Sequence, residues 1–234
     1  MQLLRRIVLV GTILVILPVM AMAQAGPGGR ELTVEEMYLQ ESIEMMIIRE
    51  QSRGESRDMK MVALEFIGDA IARGNTNPEI HATLEFLSLE GIVNLTRESG
   101  RVVNNFPDVR VRAATQLGQL GTPEAVTTLT LMVARDNEPM VLVEAIRALG
   151  LIGSDPTGEV INTIAWTVNR FSNLNPNNLL ALSAIEAIER ISAANGGIVA
   201  PVAVQTLFRI AEGNYIRPVQ ERARMALSDL RRGN

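Results

Sequence analysis

The sequence predicts an all-α fold, an α-solenoid of about five stacked helical hairpins. One helical pattern occurs twice within residues 108–153, and six positions match at a constant shift of 32 residues. The matching residues are Val109, Ala113, Leu117, Gly118, Leu120 and Gly121, which align with Val141, Ala145, Leu149, Gly150, Ile152 and Gly153. A fixed period of this kind is typical of a repeat array. No segment alternates apolar and polar residues as a half-buried strand does, so we expect no strands.

The same pattern returns outside this central pair. Ala63, followed by Ile67 and Gly68, precedes it at a shift of 50 residues, and later copies contain Ala184 and Ala223, each shifted by 39. A small residue at this position allows two helices to cross closely, and a large residue four positions later fills the space between layers. A shorter helix precedes each copy. The sequence therefore predicts about ten helices in five hairpins, which bury their apolar faces by stacking.

The predicted repeat domain spans residues 33–232. Its approximate hairpins are 33–73, 78–121, 123–153, 157–194 and 200–232. Thr33 is expected to begin the first helix with a capping box, because a glutamate follows three residues later. The first helix of the second hairpin is expected to reach about Arg97. The irregular spacers, residues 98–107 and 173–178, are where we expect features peculiar to this protein.

The N-terminal segment has the three parts of a secretory signal peptide. A positively charged start is followed by an apolar run over residues 7–20 and a small-x-small cleavage site at residues 21–23. Residues 1–23 are therefore predicted to be a signal peptide, and residues 24–32 a flexible spacer. The alternative is a retained membrane anchor, because about 17 apolar or small residues are the lower limit for crossing a bilayer. Export to a bacterial periplasm is expected.

Composition excludes several classes of chemistry. The chain has 234 residues and no cysteine, which excludes disulfides, thiolate metal sites and cysteine nucleophiles. Removal of the signal peptide with its two arginines changes the formal charge from −4 to 20 − 26 = −6. A mildly acidic protein has no electrostatic footprint for nucleic acid or anionic lipid.

Residues 108–125, which read DVRVRAATQLGQLGTPEA, resemble a HEAT repeat of the bacterial, lyase-type HEAT-like kind. The residues that carry the resemblance are Asp108, Arg110, Ala113, Leu117, Gly118, Gly121, Pro123, Glu124 and Ala125. The resemblance implies a curved, right-handed α-solenoid that binds other macromolecules. Leu142, Ala181 and Gln220 replace Arg110 in the later copies, so the charge ladder of the family is not expected to be continuous.

No catalytic, cofactor or metal motif is found in the sequence. His81, the single histidine, lies near Glu79 and Glu85, but zinc or iron would need further ligands, so a surface or hairpin-contact role is favoured. A second candidate is a methionine group that could bind Cu(I), although core packing is favoured for it. Its members are Met37, Met45, Met46, Met59 and Met61. The absence of nucleophile elbows and phosphate-binding loops predicts no enzyme and no cofactor.

Polar positions on the second helices of the hairpins form the candidate partner-binding surface. The HEAT-like resemblance implies that these helices line the concave side of the solenoid. The candidates are Arg112, Gln116, Gln119, Glu144, Arg147, Glu186, Glu189, Arg190 and Arg224. The alternative for each is an ordinary solvated side chain. Trp166 lies between Ile164 and Val168, which favours a core position over a binding anchor.

The sequence therefore predicts a non-enzymatic, exported scaffold or adaptor that binds a protein partner. No nucleic acid and no small-molecule substrate is expected. Two alternatives remain open. One is an accessory subunit, or a lyase-like or chaperone-like factor, of an enzyme system, which the occurrence of HEAT-like repeats in bilin lyases suggests. The other is a membrane-tethered scaffold, if the N-terminal segment is retained.

Overall fold

The computed structural model describes residues 33–174, 176–197 and 200–232, so the predicted signal peptide and spacer lie outside the described residues. The described part is 76% helical, with ten helices. The first helices of the five hairpins are α1 (Val34–Arg53), α3 (Pro78–Leu89), α5 (Pro123–Arg135), α7 (Glu159–Leu174) and α9 (Pro201–Glu212). The second helices are α2 (Arg57–Ala72), α4 (Pro107–Leu120), α6 (Pro139–Ile152), α8 (Asn178–Ala194) and α10 (Arg217–Arg232).

The ten helices form two layers. Each first helix packs against the next first helix, and each second helix against the next second helix, so successive hairpins stack on one another. We call these the first-helix layer and the second-helix layer. One continuous apolar core lies between them. This arrangement confirms the predicted all-α stack of helical hairpins.

Small residues bring the second helices close together. A Cβ atom built on Gly150 would lie 2.7 Å from the Cα of Ala187, and one on Gly118 would lie 2.8 Å from the Cβ of Ala148. Packing is more extensive between the central second helices than between the first helices beside them. Tighter spacing in one layer curves a stack of hairpins toward that layer.

Sequence signals set several helix ends. The capping box predicted at Thr33 is confirmed, because its side chain accepts a hydrogen bond from the backbone of Glu36 while the Glu36 side chain accepts one in return. Gly121 and Gly153 follow α4 and α6 in the left-handed conformation, with φ of 65° and 74°. Glycine adopts this conformation without the penalty that a Cβ atom brings, so both helices end where the repeat pattern ends.

Helix α3 ends at Leu89, whereas the sequence predicted a helix to about Arg97. Apolar residues such as Val93 and Leu95 extend the helical pattern beyond the true end, and both are exposed. Gly91 instead has φ of 76°, and a Cβ atom there would lie 2.6 Å from the backbone oxygen of Asn104. The chain therefore turns at Gly91 because the returning segment packs directly on its backbone.

The long connection after α3 contains a short β-ribbon that the sequence did not predict. Strands β1 (Arg97–Glu98) and β2 (Arg101–Val102) pair in antiparallel register. Ser99 and Gly100 between them have φ of 48° and 82°. A two-residue turn with positive φ at both positions matches the twist of the flanking strands. Strands of two residues are too short to show a period in sequence.

Candidate partner-binding surface

Two buried cations occupy equivalent positions in the first two copies of the repeat. Lys60 aligns with Arg110 at the shift of 50 residues. Lys60 Nζ lies 2.9 Å from Glu90 Oε2, and Arg110 Nε donates to Asp136 Oδ2 over 2.7 Å. Each acidic residue immediately follows the first helix of the next hairpin. The buried charge ladder therefore has two steps, Lys60–Glu90 and Arg110–Asp136. From the sequence, only Arg110 was assigned to the ladder.

The same buried network anchors the β-ribbon. Arg110 Nη1 donates to Asn105 Oδ1 over 2.8 Å. The side chain of Asn104 accepts a hydrogen bond from the backbone N–H of Thr96 and donates to the backbone oxygen of Asn94, over 2.9 Å and 2.8 Å. Asn104 therefore ties together the two ends of the ribbon, and Arg110 holds the segment that leads from it into α4.

The structure separates the nine predicted partner-binding residues into three groups. Arg112, Gln119, Arg147, Arg190 and Arg224 are exposed, Glu144, Glu186 and Glu189 are half-buried, and Gln116 is buried. Most of these residues therefore reach the surface, but their hydrogen bonds decide which of them are open to a partner.

Gln116 was predicted as a surface residue, and this prediction is wrong. Its side chain is 2% exposed, and Nε2 donates to the backbone oxygen of Leu64 in α2. Gly68 makes room for it, since a Cβ atom at that position would lie 2.9 Å from Gln116 Nε2. Gln116 lies off the apolar stripe of its own helix, yet the neighbouring helix covers it. It joins two hairpins and cannot contact a partner.

Glu144 and Arg147 form a charge pair that also joins α6 to α4. Arg147 Nε donates to Glu144 Oε2 over 2.8 Å, and Thr115 Oγ1 donates to Glu144 Oε1 over 2.6 Å. Burial opposes ionisation of Glu144, but the hydrogen bonds from Arg147 and Thr115 outweigh it and lower the pKa of this carboxyl. Glu144 is therefore an ionised group whose oxygens are already bonded within the protein.

Glu189 and Arg224 are also engaged within the stack. The Glu189 carboxylate accepts hydrogen bonds from both terminal nitrogens of Arg222, which joins α8 to α10. Arg224 Nη2 donates to the backbone oxygen of Ala211 at the end of α9 and approaches Glu212 Oε1 at 3.2 Å. These contacts hold the last hairpins together, so neither side chain is free to bind without losing an existing bond.

Four of the predicted residues remain open. Among residues 33–174, 176–197 and 200–232, no hydrogen bond or ion pair engages the side chains of Arg112, Gln119, Glu186 and Arg190, of which Glu186 is half-buried. Arg112 and Gln119 line a groove of about 520 Å³ between α2 and α4, whose other wall carries Glu65 and Asp69. A cation and two carboxylates thus face a common groove, and their charges are available to a partner.

The histidine and methionine residues that the sequence offered as candidate metal ligands do not come together at one site in the described part of the chain. Over the described ranges, no group of three or more His, Asp or Glu side chains is arranged to hold a metal ion. Glu79, beside His81, instead accepts a hydrogen bond from Arg49. Core packing accounts for Met45, whereas Met37 and Met46 are exposed. The described helices include none that is long and apolar enough to cross a membrane.

Trp166 was predicted to lie in the core, but it is 53% exposed. Its neighbour Thr167 points inward instead and donates to the backbone oxygen of Val133 over 3.1 Å. Ile164 and other buried residues of α7 face the core. Trp166 therefore lies on the outer side of this helix. There the Arg170 guanidinium carbon lies 4.8 Å from the centre of an indole ring. Trp166 is therefore available as a binding anchor, the alternative that the sequence ranked below a core position.

Comparison with known proteins supports the repeat architecture. Residues 101–169 match the family model described as HEAT repeats, a stretch that begins in the β-ribbon and ends within α7. No curated protein matches the chain significantly. The family match and the stack of helical hairpins together support a HEAT-repeat protein.

Proposed function

We propose that this protein is an exported, non-enzymatic scaffold that binds a protein partner through the second-helix layer. HEAT repeats commonly mediate protein–protein interaction. The observation that carries the proposal is the groove between α2 and α4, where Arg112 faces Glu65 and Asp69 without an ion pair. Charges of both signs on adjacent walls fit a partner surface with complementary charges.

The rest of the second-helix layer supports this role by holding the surface rigid. Thr115 and Glu144 join α4 to α6, and Glu189 and Arg222 join α8 to α10. Helices fixed in this way lose little conformational freedom on binding, which lowers the entropic cost of association. Arg190 extends the open polar surface onto α8.

Partner capture tests the proposed surface. The double variant Arg112→Glu/Arg190→Glu should lose the partner that the unchanged protein captures from periplasmic extract, with mass spectrometry as the readout. The matched control is Arg135→Glu, an exposed arginine on the first-helix layer, which should retain the partner. Circular dichroism checks that all variants are folded. Equal capture by the double variant and the control would refute the assignment.

Export is proposed from the N-terminal sequence alone. Expression of the full-length gene in a bacterium should yield a periplasmic protein whose intact mass corresponds to a chain that begins at Gln24. A full-length mass in the membrane fraction would instead support the membrane-tethered alternative. Substitution of Ala21 and Ala23 by Arg should block cleavage, which separates processing at this site from unrelated proteolysis.

A further inference from the structure

A second groove lies in the first-helix layer, between α5 and α7. It has a volume of about 470 Å³, and its apolar walls include Val126 and Leu131 of α5 and Val160 of α7. A neighbouring hollow of about 600 Å³ shares Ala134 with it and extends to Trp166. The two hollows form one continuous surface on the layer opposite the second helices. We call this surface the α5–α7 groove.

Trp166 gives this groove a binding anchor. The residue is 53% exposed even though it carries the largest apolar side chain in the protein. The Arg170 guanidinium carbon lies 4.8 Å from one ring of the indole and 5.0 Å from the ring of Phe171, so it packs between the two aromatic side chains. Tryptophan beside an apolar hollow is characteristic of the residues that contribute most to binding at interfaces.

The threonine hydroxyls in the groove already donate their hydrogens to the protein. Thr127, Thr130 and Thr163 each donate to the backbone oxygen four residues earlier, over 3.2, 2.7 and 2.9 Å. A ligand can therefore contact their methyl groups and donate a hydrogen bond to their hydroxyl oxygens. It cannot accept a hydrogen bond from these hydroxyls, because they already donate within the protein. These walls favour a ligand that brings apolar surface and hydrogen-bond donors.

The charges of the groove are separated along its length. Its charged lining residues are Asp155 and Glu159, whereas the Arg170 guanidinium packs on the ring of Trp166 at the other end. Asp155 accepts hydrogen bonds from the backbone N–H groups of Val160 and Ile161, over 3.2 and 2.9 Å, so its carboxylate is engaged. The Glu159 carboxylate is exposed and has no partner within the part of the chain that the structure describes. It is the group that would attract a cation.

The size of the groove sets the length of its ligand. Trp166 follows Glu159 by seven positions in α7, which corresponds to about 10 Å along the helix. An extended peptide advances by about 3.3 Å per residue, so about three residues span this distance.

We propose that the α5–α7 groove binds a short extended peptide segment of a partner protein. An apolar side chain of this segment packs at the Trp166 end, and a Lys or Arg side chain lies beside Glu159. This site is on the opposite layer from the groove with Arg112, so it is a second binding site that does not depend on the surface proposed above.

The single tryptophan of the chain reports directly on this site. The probes are two matched pools of acetylated, amidated hexapeptides of apolar residues, one with a fixed central Lys and the other with a fixed central Glu. The Lys pool should shift Trp166 emission to shorter wavelength with saturation, and the Glu pool should bind at least about tenfold more weakly. Glu159→Gln should weaken the Lys pool about three- to fivefold, as expected for loss of an exposed ion pair.

Variants and a glycan control complete the test. Thr130→Arg places a long cation in the α5 wall of the groove and should abolish the shift, whereas Gln205→Arg, an exposed change on α9, should not. Arg112→Glu should also leave the shift intact. The proposal is overturned by equal binding of both pools, by no shift with either pool up to the solubility limit, or by full binding to Thr130→Arg. A saturable shift with N-acetylglucosamine trimer but not with peptide would make the groove a glycan site instead.

Discussion

Arg110 and Asp136 form a buried ion pair between successive hairpins. The two charged atoms lie 2.7 Å apart, and each side chain is 1% exposed. Asp136 also accepts hydrogen bonds from the backbone N–H groups of Asn137 and Glu138, over 2.7 and 2.9 Å. One carboxylate therefore fixes the turn between α5 and α6 and bonds that turn to α4. Lys60 and Glu90 form the corresponding link one hairpin earlier.

Loss of this carboxylate should strongly destabilise the protein. Asp136→Asn removes the counter-charge of a buried guanidinium, which costs about 3–5 kcal/mol in comparable buried pairs. Urea unfolding at neutral pH, followed by circular dichroism, measures the loss. The matched control is Asp58→Asn, because the Asp58 side chain is 88% exposed and its pair with Arg57 is at the surface. Similar unfolding midpoints for the two variants would show that the Arg110–Asp136 pair does not stabilise the stack.

Because the second helices approach closely, we expect replacement of Gly150 by alanine to destabilise the protein. Gly150→Ala adds a methyl group 2.7 Å from the Cα of Ala187, where the backbone of α8 must move. Overpacking of this kind costs about 1–3 kcal/mol, and the higher helix propensity of alanine offsets up to about 1 kcal/mol. We expect a net loss of about 1–2 kcal/mol in urea unfolding.

Gly68→Ala is the comparison for that substitution. The added methyl group would meet only Gln116 Nε2, at 2.9 Å, which is the end of a flexible side chain. A shift of this amide can relieve the contact, so Gly68→Ala should cost less than Gly150→Ala. The reverse order would contradict the spacing of α6 and α8.

The repeat pattern was sufficient to predict the architecture. Ala113 and Ala145 lie 32 residues apart, and the same pattern returns in three further segments at shifts of 50 and 39 residues, which implies that each segment packs against the next in the same way. Both alanines are fully buried at the contacts between second helices. The same alignment places Lys60 at the position of Arg110, so the second step of the buried charge ladder could have been found from sequence.

The individual side chains of the candidate sites were less predictable, because helical periodicity describes one helix at a time. Whether Gln116 is exposed depends on Gly68 in a neighbouring helix, which leaves space for its amide. Trp166 is exposed because Thr167 turns inward to bond Val133 in the preceding hairpin. The end of α3 depends on backbone packing against Gly91. Each outcome is set by contacts between segments, which the sequence alone did not give.

Glu144 should make stability depend on pH. Its pKa is lowered on folding, since hydrogen bonds from Arg147 and Thr115 to the carboxylate outweigh the opposing effect of burial. A carboxyl whose folded pKa lies below its unfolded pKa stabilises the protein fully above the unfolded value, and this contribution is lost as the pH falls through the folded value. Glu144→Gln should therefore lower the urea midpoint at pH 7.

The difference between Glu144→Gln and the unchanged protein should shrink as the pH falls below about 4.3, the ordinary pKa of glutamate. The control is Glu98→Gln, an exposed change in the β-ribbon, which should leave the midpoint close to that of the unchanged protein at each pH. If the effect of Glu144→Gln is as large at pH 3 as at pH 7, ionisation of Glu144 is not what stabilises the contact between α4 and α6.

The exposure of Trp166 provides an optical test, because the chain has one tryptophan. Emission of the native protein should lie close to that of the urea-unfolded protein, and acrylamide should quench both to a similar extent. Trp166→Phe should change the free energy of unfolding by about 1 kcal/mol or less, since the residue is 53% exposed. Ile164→Ala, at a fully buried position two residues earlier, should cost about 2–5 kcal/mol. Circular dichroism in urea compares the two variants, and an equal loss would place Trp166 in the core and remove the anchor from the α5–α7 groove.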